Sequence, residues 1–190
     1  MGVDETRLAR LRADLDRLVL LDADHRVFGA AGVHGHGYRR APTRDDASLD
    51  QEFGALLPPE LRAFLSQVHG GGAGPGYGLD VWAEPRASSP FPYGTTQART
   101  LIERSANERR PSLPLLDDDD DDCWPPGPGF VAVAHHGCGV YDVVVVTGEQ
   151  RGFMWCCDMA WRPYRSGDRQ LGFFDWYEQW LARALAQVEG

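Results

Sequence analysis

Four consecutive valines, Val143–Val146, constrain this 190-residue chain more than any other feature. Successive strand residues point to opposite faces, so an unbroken β-branched run fits a central strand covered on both sides. The pattern predicts strands over Phe130–Ala134, Val140–Thr147 and Gly152–Cys157. "TGEQRG" joins the last two as a glycine-containing hairpin loop, so 140–147 and 151–157 are expected to pair antiparallel. A further strand is expected at Tyr77–Ala83, and a short one near Arg26–Ala31 within an otherwise irregular 22–48.

Helical periodicity is equally plain. Leu8, Leu11, Leu15, Leu18 and Val19 predict an amphipathic helix over about 4–20, with Arg10/Asp14 and Arg12/Asp16 as exposed i,i+4 pairs. In "LPPELRAFLSQVHGG" prolines open a helix whose buried face is Leu61, Phe64, Leu65 and Val68, and Gly70 is placed to end it. The closing "GFFDWYEQWLARALAQV" gathers Phe173, Tyr177, Trp180, Leu181, Ala184 and Val188 on one face. Residues 84–129 read as an irregular Pro/Asp-rich insert with a short helix near Thr96–Asn107. A chain of this length and 43% hydrophobic content suits one α+β domain, 1–190.

The chain has no lysine, and its 19 basic residues are all arginine, which implies a GC-rich bacterial genome. Net charge is −9, but Asp117–Asp122 holds six of the 28 acids; without that run 22 acids face 19 arginines. Such a balance argues against direct nucleic-acid or anionic-membrane binding and favours a basic partner. No apolar run approaches the roughly 18 residues of a membrane span. The opening Met-Gly-Val-Asp-Glu-Thr lacks the basic and apolar regions of a secretory signal. A cytoplasmic location is therefore expected, with Cys123, Cys138, Cys156 and Cys157 reduced.

"AHHGCGV" resembles a metal or nucleophile site. A zinc site needs about four ligands, and adjacent Cys156 and Cys157 point to opposite strand faces. A Cys138 nucleophile needs an orienting group and an oxyanion pocket, for which the sequence offers no recognisable setting. The reading adopted is a strand entrance: Gly137 and Gly139 allow a bend, Cys138 is a buried, non-catalytic filler, and the histidines before it are exposed. No metal or cofactor is expected. His34 and His36 offer at most a weak adventitious Ni or Zn site.

The glycines of 69–78 follow a helix and precede a strand, the wrong order for a phosphate loop. Asp117, Asp118, Asp119, Asp120, Asp121 and Asp122 lack the alternation of a calcium loop, so they read as solvated or as a partner-facing patch. Trp82, Trp155, Trp176 and Trp180 read as core, and Trp124 beside the acids as an exposed interface anchor.

Three blocks complete the reading. The first is Glu52-Phe53-Gly54, Leu57-Pro58, Phe64-Leu65 and Gly70-Gly71. The second is Gly137-Cys138-Gly139, the strand to Thr147-Gly148, and Gly152 with Trp155. The third is the closing helix from Phe173 through Trp176 and Trp180 to Leu181. In order and spacing they resemble the SUKH superfamily, cell-wall-assembly-regulator-like domains that bacteria use as immunity proteins against polymorphic toxins. The resemblance covers about 45–83 and 128–188. It departs at His69, where the family usually has Asn, and at the acidic insert. It implies an α+β domain with helices packed on a mostly antiparallel sheet. It also implies a non-catalytic, protein-binding role, here toward a basic toxin domain such as a nuclease. The alternatives are a regulatory scaffold of the same fold and, more distantly, a thiol enzyme built on Cys138.

Overall fold

The computed structural model describes residues 3–30, 42–83, 87–105, 108, 111–114 and 128–190. The fold is α+β: among these residues lie five helices, a five-stranded sheet and a two-stranded ribbon. They gather into two compact units, 1–80 with 174–190, and 81–173.

In the first unit, side-chain caps set the helix starts. The Asp4 carboxylate accepts the Arg7 N–H at the head of α1 (Glu5–Leu21). Asp45 does the same for Ser48 in α2 (Asp46–Phe53), and Pro58-Pro59 open α3 (Pro59–Gln67). Helix α2 corrects the expectation of an irregular 22–48; it buries Leu49 and Phe53 and ends at Gly54, whose φ is 57°. The strand expected near Arg26 is also absent from the described residues there. Buried Asp22 instead accepts the N–H groups of Arg26 and Val27, at 2.8 and 2.9 Å, and folds the chain into turns. Leu8, Leu11, Leu15 and Leu18 of α1 are buried, as are Leu61, Phe64 and Leu65 of α3. So are Trp176, Tyr177, Trp180 and Leu181 of α5 (Phe173–Glu189), whose first residue belongs to the second unit.

Arg10, expected to face Asp14, reaches Glu178 of α5 at 2.8 Å. The same carboxylate takes Arg7 at 2.7 and 2.8 Å, while Asp175 takes Arg7 as well. His69 is buried; its Nε2 lies 3.1 Å from the Tyr177 hydroxyl, which donates to Ala73 O at 2.8 Å. The departure from Asn thus builds a polar tie from the end of α3 to α5. The left-handed residues after α3 are Gly71 and Gly72 rather than Gly70. Gly70 serves close approach instead, since a Cβ there would lie 2.4 Å from Pro42 O.

The sheet has the order β1-β2-β3-β4-β5: β1 (Leu79–Ala83), β2 (Phe130–Gly137), β3 (Val140–Val145), β4 (Met154–Cys157) and β5 (Trp161–Pro163). The boundary between the units falls inside β1. The pairs β2/β3, β3/β4 and β4/β5 are all antiparallel, so the expected hairpin of 140–147 with 151–157 is present. Val143, Val144 and Val145 are each 0% exposed, which places cover on both faces. One face carries Phe130, Ala132, Val143, Val145, Trp155 and Trp161, packed with Phe91, Tyr93 and Ala98 and Leu101 of α4 (Thr95–Arg104). The described part of the Pro/Asp-rich insert therefore supplies a helix and core aromatics. Trp155 stands at its centre, 5.3 Å from the Phe91 ring and 6.0 Å from Tyr93. Trp82 is only partly buried against this cluster. A ribbon, β6 (Arg165–Ser166) with β7 (Arg169–Gln170), follows β5.

Candidate functional site

The turn between β2 and β3 overturns the expectation for Cys138. Gly137, Cys138 and Gly139 all have positive φ, 81°, 50° and 75°. The thiol sits exposed at the hairpin tip rather than buried at a strand entrance. The two glycines make the tight reversal, and cysteine adopts the left-handed region at a cost. Gly148 and Gly152, at φ 67° and 91°, shape the β3–β4 connection.

That tight turn fixes the hairpin register, and the register contains two irregularities, one between Ala132 and Ala134 and one between His135 and Gly137. Ala134 faces Asp142 and His135 faces Tyr141, but Gly137 faces Val140, so His136 is an extra residue in β2. Such a bulge re-aims a side chain. Here it brings His136 Nε2 to 2.8 Å from Asp142 Oδ2. The other carboxylate oxygen accepts the Tyr164 hydroxyl at 2.5 Å. Asp142 is 0% exposed, so both bonds offset the cost of burying a carboxylate. Neither His135 nor His136 is the exposed residue expected; both are half-buried.

Cys156 stands opposite Asp142 on β4, and Arg162 opposite Cys156 on β5. With His136, Val140, Pro163 and Tyr164 they line an open cleft of about 390 Å³. Asp158, also on its wall, accepts Arg162 Nη2 at 2.6 Å. The hydrogen bond to Asp142 raises the pKa of His136 above the ordinary imidazole value, against the opposing effect of burial. Burial first, then the Asp142 charge, pushes the Cys156 thiol up to about 12, and burial pushes Cys157 up to about 12. Both thiols are protonated near neutral pH and poor nucleophiles. Among the described residues no group of three His, Cys, Asp or Glu side chains is placed to hold a metal.

No family model, curated protein or solved structure matches this chain. The geometry therefore stands on its own.

Of the residues singled out from sequence, Gly137 and Gly139 shape this cleft by setting the hairpin register. Gly54, Pro58, Phe64, Gly70 and Gly71 lie on and around α2 and α3, Trp176 and Trp180 on α5, and Trp155 in the sheet core. Asp117–Asp122, Trp124, His34 and His36 lie outside the described residues. The sequence reading missed Asp142, Arg162 and Tyr164. Asp142 carried a usable signal: it shares strand parity with Val144, so a fully covered strand buries its carboxylate and requires donors. Among the described residues no helix is long and apolar enough to cross a membrane.

Proposed function

We propose that this chain is a non-catalytic protein-binding domain, an immunity protein of the SUKH type. On this reading it binds and neutralises a basic toxin domain, such as a nuclease, in the bacterial cytoplasm. The observation that carries the non-catalytic reading is the state of the polar cluster on the sheet. Asp142 holds one donor on each oxygen, His136 and Tyr164, and the adjacent Cys156 thiol is held protonated. Groups so committed hold a surface in shape rather than attack a substrate. His136 Nε2 is bonded to Asp142, an arrangement that orders the sheet surface without engaging the exposed Cys138 thiol. The α+β fold with its antiparallel sheet agrees with the architecture that the sequence resemblance implies. The charge of −9 favours a basic partner.

The test is genetic and then physical. The product of a toxin gene immediately upstream should arrest growth when expressed alone. Coexpression of this chain should restore growth, and the two purified proteins should form a complex that salt weakens. Growth arrest that this chain leaves unrelieved would overturn the reading; a cellular partner bound in its place would favour the regulatory scaffold.

A further inference from the structure

The cleft over Asp142 presents donors, while its acceptors are already engaged. Asp142 receives His136 and Tyr164, and Asp158 receives Arg162. The donors are only partly used. His136 commits Nε2 to Asp142, and its side chain is 33% exposed, so Nδ1 is the ring nitrogen left for a ligand. Arg162 makes its hydrogen bonds through Nη2, to Asp158 Oδ2 at 2.6 Å and Asp158 O at 3.4 Å. A guanidinium has five N–H groups in a planar fork, so Nε and Nη1 remain. Val140 and Pro163 supply apolar wall, which strengthens a charged hydrogen bond formed beside it. The Cys156 thiol adds no negative charge.

We propose that this cleft is an oxyanion site, taking one carboxylate or phosphate group against the His136 imidazole and the Arg162 guanidinium. The buried Asp142 is its positioning residue: it turns the ring and favours the imidazolium, and the bulge at His136 accompanies that contact. A cation finds no comparable arrangement there, because both carboxylates already hold hydrogen-bond donors. The site goes beyond the toxin-binding reading and stands or falls separately from it. Its occupant is a free phosphate-type anion or an acidic side chain presented by another protein; the recognition chemistry is shared.

Occupancy should depend on pH through His136. The groups that face it are Asp142 from β3, Cys156 from β4, Arg162 from β5, Asp158 from the β4–β5 connection, and Tyr164. The ordinary imidazole value lies within the range from pH 6 to 9, and the bond to Asp142 raises it for His136. The experiment is an NMR titration of the full chain at constant ionic strength, with inorganic phosphate and with acetate as separate probes. Saturable shifts should centre on His136, Val140 and Arg162. Acetate, whose charge is constant over this range, should bind at least about tenfold more weakly at pH 9 than at pH 6. Tighter phosphate binding assigns the site to a phosphate-type anion; tighter acetate binding assigns it to a carboxylate side chain. Arg162→Gln should abolish the shifts. Val140→Asp should also abolish them, by placing a carboxylate on the wall while both donors remain, which keeps the test sound if Arg162→Gln does not fold. Shifts that fail to saturate with either probe, that spread over other arginines, or that persist in Val140→Asp would overturn the proposal.

Discussion

At the scale of single residues, burial and partner together decide what each titratable group does. Asp142 is fully buried and holds two donors. Removing the carboxylate leaves a half-buried imidazole and a tyrosine hydroxyl without their acceptor, so Asp142→Ala should cost about 3 kcal/mol, the scale of a broken buried pair. The pH signature is more specific. His136 has its pKa raised in the folded chain, so its contribution is fully present below the unfolded value, about 6.5, and is lost as pH rises through the folded value. Urea unfolding should therefore show a wider gap between wild type and Asp142→Ala at pH 6 than at pH 9. An equal gap would mean that the His136 bond contributes nothing through its charge. The thiols separate by the same logic. In a Cys123→Ser background, Cys138 should react with a thiol reagent well before Cys156, which is only partly exposed, and Cys157, which is buried, both thiols being raised to about 12. Simultaneous labelling of all three, followed by mass spectrometry, would contradict this placement.

At the scale of elements, helices α1 and α5 are joined by a charged clasp as well as by apolar faces. Arg7 is 20% and Glu178 24% exposed, so their bonds are only partly screened by solvent. Burial alone would raise the pKa of Glu178, but hydrogen bonds from Arg7 and Arg10 outweigh it and hold the carboxylate below its ordinary range. Arg7→Met keeps the packing over Phe174 and removes the charge; it should cost about 1–2 kcal/mol near neutral pH after allowance for screening. Because the folded pKa of Glu178 is lowered, the clasp contributes above the ordinary carboxylate value and is lost as pH falls through the folded one. Thermal melts of the two proteins should therefore converge on acidification from about pH 5 downward. These two helices were legible in sequence because a sustained 3.6-residue period over many residues has few competing readings. Helix α2 was not, because eight residues with only Leu49 and Phe53 buried carry too little periodicity, and its signal lay in the Asp45 cap. The valine strand and its hairpin were legible from the unbroken β-branched run and the glycine-containing loop after it. The bulge at His136 was not, because it depends on the register that Gly137-Cys138-Gly139 imposes, a fact about two strands at once. The cleft was hidden for the same reason: His136, Asp142, Cys156, Arg162 and Tyr164 belong to separate strands and connections, brought together only by antiparallel pairing.

At the scale of the whole molecule, charge acts before contact does. The chain carries −9, and six of its acids stand together at Asp117–Asp122. Screening sets in over about 8–10 Å at physiological ionic strength, so a concentrated run reaches a basic partner only through its last few ångströms of approach. That distance is enough to bias encounter, and complementary charge of this kind acts mainly on association rate. On the proposed function, replacing all six aspartates by Ser should slow association at low salt and leave dissociation nearly unchanged. The difference should shrink as salt is added. Fold stability should hold or rise slightly, because six like charges repel one another in the native chain. The measurement is binding kinetics of both proteins against the purified toxin domain at two salt concentrations, with urea unfolding alongside. A large rise in dissociation rate would place the run in the docked interface itself. Unchanged rates in both directions would remove it from recognition altogether and leave it as solvated charge.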